Sequence, residues 1–213
     1  MATRYVSTKI WHTGNNTKCR LCGENSETVH HIVSGCKMLA AKQYTFRHNE
    51  VAKHIHWWIL KDQGIPVTDV WHKHVPVDTV TCKDIEILWD KAILTDKKVN
   101  YNRPDITIHD TKNRECLFID IAVPTCSNVI QKEAEKITKY RDLEIEVQKC
   151  WNLRKVRTIP IVIGALGTAS TGVEEYLKIV SPNIKFTTVQ KTALLGTAHI
   201  LRNFLTPLSN TIP

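Results

Sequence analysis

Three cysteines and two histidines crowd into a stretch of chain too poor in bulky apolar residues to fold by burying a core of its own. Residues 17–36 read Thr-Lys-Cys-Arg-Leu-Cys-Gly-Glu-Asn-Ser-Glu-Thr-Val-His-His-Ile-Val-Ser-Gly-Cys. Cys19-x₂-Cys22 puts two thiolates on one tight turn, and Cys36 follows with four residues between it and His31. Cys19, Cys22, His31 and Cys36 would fill the tetrahedral shell of Zn²⁺ and leave no open position for a substrate, so a structural metal is expected. His30 competes with His31, because sequence alone does not choose between adjacent imidazoles. A redox Cys-x₂-Cys normally opens a helix behind a strand, and no strand precedes this one. The seven cysteines cannot all pair within one chain, and Met1–Val6 carries no secretory leader pattern. A reducing compartment and thiolate ligation are therefore expected, not a disulfide framework.

With 42% hydrophobic and 23% charged residues over 213 positions, the remainder of the chain has enough apolar side chains for a core. Its longest apolar stretches, such as Ile159–Ile163, fall far short of the roughly 20 residues that cross a bilayer, so no membrane partner is expected. The formal charge of +8 is unevenly distributed: 8 basic and 3 acidic groups in 1–60, 9 and 11 in 61–120, 12 and 7 in 121–213. Two basic segments flanking an acidic one suit a polyanion-binding surface around a carboxylate centre, since phosphates need cations and Mg²⁺ needs carboxylate oxygen. DNA is the expected partner, with RNA or a DNA–RNA hybrid also open. A structural adaptor would instead show no salt-sensitive nucleic-acid affinity.

The chain divides into a zinc-binding CCHC module over 1–40, a helical linker region over 41–82 and an α/β domain over 83–213. Residues 37–60 lack Gly and Pro and read as helix, interrupted near Arg47-His48-Asn49. Asp84–Asp90 alternates at first and Ile106–His109 alternates again, as strands do, and the latter forms a hairpin with Glu115–Val123 around Lys112-Asn113, with Pro124 ending the second strand. In a helix over 129–141, Ile130, Ala134, Ile137 and Arg141 mark one face, and Asn128 with Gln131 offers a capping box at its start. Ile159–Gly164 reads as a strand at the centre of a sheet covered on both faces, and a last helix falls within 187–205. The predicted fold is a mixed sheet flanked by helices behind a small zinc module.

Asp120 is the only charge in Phe118-Ile-Asp-Ile-Ala-Val123, and a buried carboxylate is costly unless a cation or donors compensate it. Asp105, in Arg103-Pro104-Asp105, leads into the neighbouring strand. Two carboxylates brought together by adjacent strands can share a divalent metal, which lowers the pKa of a bound water and stabilises charge on a phosphate. On the following helix Lys132, Lys136 and Lys139 are spaced by four and three, and Lys136 lies one turn from Tyr140. A lysine aimed at both carboxylates could orient the attacking water and neutralise the transition state, and Lys136 is the first choice.

The succession Arg103-Pro-Asp105, Ile119-Asp-Ile-Ala-Val-Pro124, Glu135-Lys-Ile-Thr-Lys-Tyr140 resembles the restriction-like endonuclease domain of non-LTR retrotransposon polyproteins, a branch of the PD-(D/E)xK nuclease superfamily. Upstream, Cys19-Arg-Leu-Cys22, Glu27-Thr28, His31-Ile32, Cys36 and Arg47-His48-Asn49 are similar to the cysteine-histidine motif that precedes the nuclease there. The similarity covers about residues 17–205. It implies a restriction-endonuclease-like fold, cleavage of DNA phosphodiesters with Mg²⁺ or Mn²⁺, and a nuclear setting. Residue by residue, Asp105 and Asp120 match the two acids, Lys136 and Lys139 the paired lysines, and Tyr140 the tyrosine. The superfamily's commoner lysine, two residues after the second acid, is replaced by Ala122, so the amine must come from the helix. The sequence has no reverse transcriptase segment. It is a fragment, a solitary relative or a domesticated host protein, and an inactive nucleic-acid-binding derivative is the alternative to an enzyme.

Further expected phosphate contacts are Lys18 and Arg20 beside the thiolates, Arg103, Lys132, and the cluster Lys149, Arg154, Lys155 and Arg157. Glu86 and Asp90 share a strand face, where one could add a metal ligand or both could be exposed edge carboxylates. His109 and Asp110 should be solvated near the hairpin turn. His54, His56, Trp57 and Trp58 either stack on bases or pack between domains, with packing favoured for the tryptophans. Gly164-Ala-Leu-Gly167 fails the dinucleotide spacing and reads as a tight turn. Cutting both strands from one centre would require repositioning or a second subunit, so a homodimer is compatible.

Overall fold

In the computed structural model, which describes residues 2–206, the predicted alternation becomes an ordered sheet. Residue 1 and residues 207–213, the outer ends of the first and last predicted segments, lie outside the described residues. Helices α1 (Arg4–Lys9), α2 (Val29–Ser34), α3 (Lys37–Leu39) and α4 (Thr45–Asp62) precede the sheet. The strands are β1 (Thr79–Cys82), β2 (Ile85–Trp89), β3 (Ile106–Asp110), β4 (Glu115–Ala122) and β5 (Lys155–Val162). Helices α5 (Val129–Lys139) and α6 (Arg141–Cys150) join β4 to β5, and α7 (Val173–Val180) and α8 (Phe186–Leu205) follow. The five strands lie in the order β1-β2-β3-β4-β5. All neighbours are antiparallel except β4 and β5, whose parallel pairing needs the helical crossover that α5 and α6 supply. The mixed sheet flanked by helices expected from the sequence is thus the architecture observed.

The β3–β4 hairpin has Ile106 opposite Ile119 and Asp110 opposite Glu115. Asp110 fixes its turn by accepting the Asn113 N–H at 2.8 Å. Successive residues of a strand face opposite ways, so Ile119 and Ile121 fall on one face of β4 and Phe118 and Asp120 on the other. The first face joins Ile106, Ile159 and Ile161 under Val51 and Ile55 of α4. The second places Phe118 with Tyr140, Leu143 and Val147, below the α5–α6 junction.

Several expectations change. Strand β5 is an edge strand, not a central one. Its apolar run reports helices packed on both faces, and Pro160, which lacks an N–H, was the clue to an edge. The continuous helix α4 begins at Thr45, and the irregularity before it is a π-helical turn at Ala40–Tyr44, not at residues 47–49. The capping box is not formed, since Asn128 makes no side-chain cap bond and instead accepts from the Ser127 hydroxyl. Ile130, Ala134 and Ile137 are exposed on α5, whose inward side carries lysines. The predicted 129–141 helix breaks at Tyr140 into α5 and α6, while β1, α6 and α7 were not predicted. His109 is half-buried, its ring tilted against that of Trp151 with centroids 4.6 Å apart, and its Nδ1 3.6 Å from Glu86. Trp57 is buried and donates to the Thr68 carbonyl at 2.8 Å, a packing role. Gly164 and Gly167 do form a tight turn, the latter at φ +91°.

Gly196 of α8 has no room for a side chain, because an added Cβ would meet Arg47 Cγ at 2.6 Å and Arg47 Cβ at 3.0 Å. Gly196→Ala is therefore expected to lose about 1–3 kcal/mol to overpacking, outweighing the roughly 1 kcal/mol of helix propensity it gains. A lowered urea midpoint would show it.

His54 and His56 of α4 are buried, and burial lowers both to about 4. His54 Nδ1 pairs with the Thr192 hydroxyl at 2.9 Å, and His56 Nδ1 with His74 Nε2 at 2.8 Å. Folding favours their neutral forms, so their contribution is complete above the unfolded value near ~6.5 and is lost as pH falls from there towards about 4. The expected loss is on the order of 2–3 kcal/mol for each. Melting temperature followed from pH 7 to pH 4 should drop accordingly and flatten in a His54→Gln/His56→Gln variant. A variant curve parallel to the parent's would exclude these two as the cause.

Candidate functional site

The cysteine-histidine segment closes on itself as its spacing requires. The ligand atoms of Cys19, Cys22, His31 and Cys36 all lie within 4.8 Å of one another. Cys19 Sγ is 3.9 Å from Cys36 Sγ, and Cys22 Sγ is 3.3 Å from His31 Nε2. Zinc–sulfur bonds of about 2.3 Å in a tetrahedron put sulfurs about 3.8 Å apart, so the donor set fits Zn²⁺. Three thiolates and an imidazole, all buried but the half-buried Cys22, complete a tetrahedral donor set and describe a closed structural site. Backbone N–H groups of Glu24 and Asn25 lower Cys22 to about 6, whereas burial pushes Cys36 up to about 11. His31 is the fourth member. His30 turns away to the Thr125 hydroxyl.

The segment is braced from outside. Glu27, wholly buried, accepts from the Arg4 and Arg20 backbone N–H groups at 2.7 and 2.8 Å and pairs with the Arg20 guanidinium at 2.6 Å. The Arg20 guanidinium also lies over the Phe204 ring of α8. Cys19, Ile32, Cys36 and Leu39 pack with Ile200 and Phe204 into a small third core. Arg20 is thus engaged in holding the module, while Lys18 is exposed and donates to the Glu24 carbonyl at 2.7 Å.

The second constellation gathers at the C-terminal end of β4. Asp105 immediately precedes β3, and its Oδ2 accepts the Ile121 N–H at 2.6 Å and meets His48 Nε2 at 3.1 Å. Asp120 is only 1% exposed. Its Oδ1 accepts from the Tyr140 hydroxyl at 2.7 Å and Lys139 Nζ at 3.3 Å, and its Oδ2 faces the Lys136 ammonium. Tyr140 sits where α5 ends, so the last turn of α5 presents Lys136, Lys139 and Tyr140 together. Cations are also favoured there by the helix dipole. The five residues singled out by sequence therefore come together.

The electrostatics are tightly compensated. Burial alone would raise Asp105, but His48, the Ile121 N–H and Lys136 outweigh it and hold the carboxyl below its usual range. Burial would likewise lower His48, yet Asp105 raises it to about 9. Burial, reinforced by Asp120, raises Tyr140, keeping it a phenol that donates. Beside this centre opens a cleft of ≈ 390 Å³, walled by Tyr44 and His48 on one side and Val123, Lys132 and Lys136 on the other.

Other expected contacts lie elsewhere. Arg103 is exposed and held by both oxygens of Asp90, at 2.8 and 2.9 Å. Lys132, at the cleft, pairs with Glu135. Lys149 lies 3.6 Å from Glu146, and Arg154 pairs with Glu115 at 3.1 Å. Lys155 is exposed, and Arg157 is half-buried with its Nε lacking a partner. This cluster marks the start of β5, where Lys155 lies opposite Glu115. At ~3.3 Å per residue, the five steps along β4 to Asp120 put it roughly 17 Å from the carboxylates. Glu86 pairs across the sheet with His109, away from Asp105, whereas Asp90 donates its N–H to the Asp105 carbonyl at 2.8 Å but has its carboxylate engaged by Arg103.

His48 is the member that sequence reasoning missed. Its neighbour Arg47 was the available signal, a cation on a helix face that otherwise reads Val51, Ile55, Ile59. The molecule defined by these features is a small Cys₃His metal-binding module beside a mixed, helix-flanked sheet of nuclease-like α/β type. No family model matches the chain, and no curated protein matches it.

Proposed function

We propose that this chain acts on nucleic acid through a zinc-braced, nuclease-like domain related to the nicking domain of retrotransposon proteins. The finer reading is a divalent-metal-dependent DNA endonuclease, supported by one observation: Asp105, Asp120, Lys136, Lys139 and Tyr140 converge beside an open cleft that carries positive charge. The donor set fits a hard cation, since Asp105 and Asp120 offer carboxylate oxygens and the Lys136 ammonium at Asp120 Oδ2 already occupies a position that a cation would take. Asp105 and Asp120 would hold Mg²⁺ or Mn²⁺, which when bound would supply Lewis acidity towards water and phosphate. Lys136 and Lys139 would then be displaced from Asp120 towards the phosphate, Tyr140 would keep Asp120 oriented, and His48 would do the same for Asp105.

The second reading, a zinc-containing DNA- or RNA-binding protein that no longer cuts, draws the more direct support from the arrangement as it stands. Both carboxylates are already neutralised, Asp120 by two ammonium groups and a phenol and Asp105 by His48 and a backbone N–H. A metal-controlled assay on duplex, branched and hybrid substrates decides between the two. Cutting that needs Mg²⁺ or Mn²⁺ and vanishes in Asp105→Ala and Asp120→Ala supports the enzyme. Salt-sensitive binding without products supports the binding protein, and neither binding nor cutting refutes both.

A further inference from the structure

A buried arginine with no anionic partner is expensive to keep, and this chain keeps one where three parts of the fold meet. Arg47 is 1% exposed, and no carboxylate pairs with it among the described residues. Its guanidinium donates to the Val33 carbonyl and the Thr197 hydroxyl, both at 2.8 Å, and to the Val123 carbonyl at 3.1 Å. Val33 lies between the ligands His31 and Cys36, Val123 immediately follows the strand that carries Asp120, and Thr197 belongs to α8. One side chain therefore ties the metal-ligand loop to the wall of the cleft.

Tyr44 makes the second tie. Its hydroxyl accepts the N–H of the ligand Cys36 at 3.0 Å and donates to the Ile32 carbonyl at 2.8 Å, so it holds the backbone on which two of the four zinc donors sit. Tyr44 closes the π-helical turn Ala40–Tyr44, a widened turn of a kind found mostly at functional sites. His48, one turn further along, faces Asp105 at 3.1 Å. A short rigid segment thus has the metal ligands at one end and a catalytic-type carboxylate at the other.

We propose that Tyr44 and Arg47 are positioning residues that couple the Cys₃His cluster to the carboxylate centre. Zinc occupancy would then set where His48 stands against Asp105 and how the cleft is walled. The coupling is structural. Its consequence for cutting rests on the nuclease reading above.

The test compares amide hydrogen exchange in the full chain, zinc-loaded and zinc-stripped, with that of Tyr44→Phe, which removes only the hydroxyl. Zinc removal should speed exchange at residues 40–48 and 121–124 while the centres of β3 and β4 stay protected. Tyr44→Phe should keep its zinc yet exchange at least about tenfold faster over 40–48, since it loses two buried hydrogen bonds and one alone accounts for about that factor. In cleavage, Tyr44→Phe should lower kcat about tenfold and leave KM within about twofold, since the tie orients a reacting carboxylate and not the substrate. Unchanged exchange at 40–48 in both samples overturns the coupling, as does a parental kcat in a variant whose segment has loosened. A parent chain that cuts nothing would sink the nuclease reading alone, and the exchange result would still judge the tie.

Discussion

Asp120→Ala is expected to lower metal-dependent cutting by about 10²–10³-fold or more, because it removes a group whose charge the reaction would use directly. The same change should weaken the fold. Asp120 is the counter-charge for Lys136 and Lys139 and the acceptor for a Tyr140 hydroxyl inside the core. Breaking a buried ion pair costs about 3–5 kcal/mol when the surviving charge is trapped. Here the lysines are not trapped: their side chains are 19% and 30% exposed, so they can swing to water, and about 2–3 kcal/mol is the expected loss. At roughly 2–4 °C per kcal/mol for a chain of this size, the variant should melt several degrees lower yet stay folded at 25 °C. Asp120→Asn separates the two effects. It preserves shape and the acceptor for Tyr140, so most stability should return while cutting stays absent. DNA affinity should hold or rise in both variants, since each removes a negative charge beside the cleft. An Asp120→Asn variant that cuts at the parental rate would end the enzymatic reading, whatever its stability.

How legible this was depended on which physical pattern carried each element. The β3–β4 hairpin showed in the sequence because two runs rich in isoleucine flank a polar turn around Lys112-Asn113, although both faces of β4 are buried. The zinc donors showed because ligand chemistry fixes residue type and spacing. Helix α5 is legible, but the face marked by its apolar stripe is turned to solvent. An apolar stripe of Ile130, Ala134 and Ile137 normally marks the side facing the core, whereas here the lysines turn inward to Asp120 and the isoleucines face solvent. Local rules commonly fail at a candidate site for this reason: the site's requirements override the preference for burying apolar surface. Helix α7 could have been found, since Gly172 precedes acids in the first turn and Val173, Leu177 and Val180 bury at helical spacing. The role of His48, present in the sequence only within Arg47-His48-Asn49, was hard to read because its partner Asp105 lies 57 residues away, leaving Arg47 beside it as the signal.

Removing the zinc is expected to have the largest effect on the folded state. The module's own core is Cys19, Ile32, Cys36 and Leu39 against Ile200 and Phe204, too little apolar surface to offset the entropy of ordering some twenty residues at roughly 1–2 kcal/mol each. Structural zinc sites of this type supply apparent binding energies of about 10–16 kcal/mol, which appear as folding energy. A strong chelator should therefore release one zinc per chain, unravel residues 17–39 and free the C-terminal turns of α8 that lean on them. The melting temperature should fall by about 10 °C or more even if only ~5 kcal/mol of that energy reaches the whole domain. The sheet core formed by α4, β2–β5 and α7 contains none of the four donors, so it should persist as a looser species that still gives strand signal in circular dichroism. Cys36→Ser and His31→Ala should reproduce the chelated state without chelator, while His30→Ala, which removes only the contact to Thr125, should keep its metal. Measured zinc content settles the choice between neighbours: metal retained by His31→Ala and lost by His30→Ala would reverse the ligand assignment.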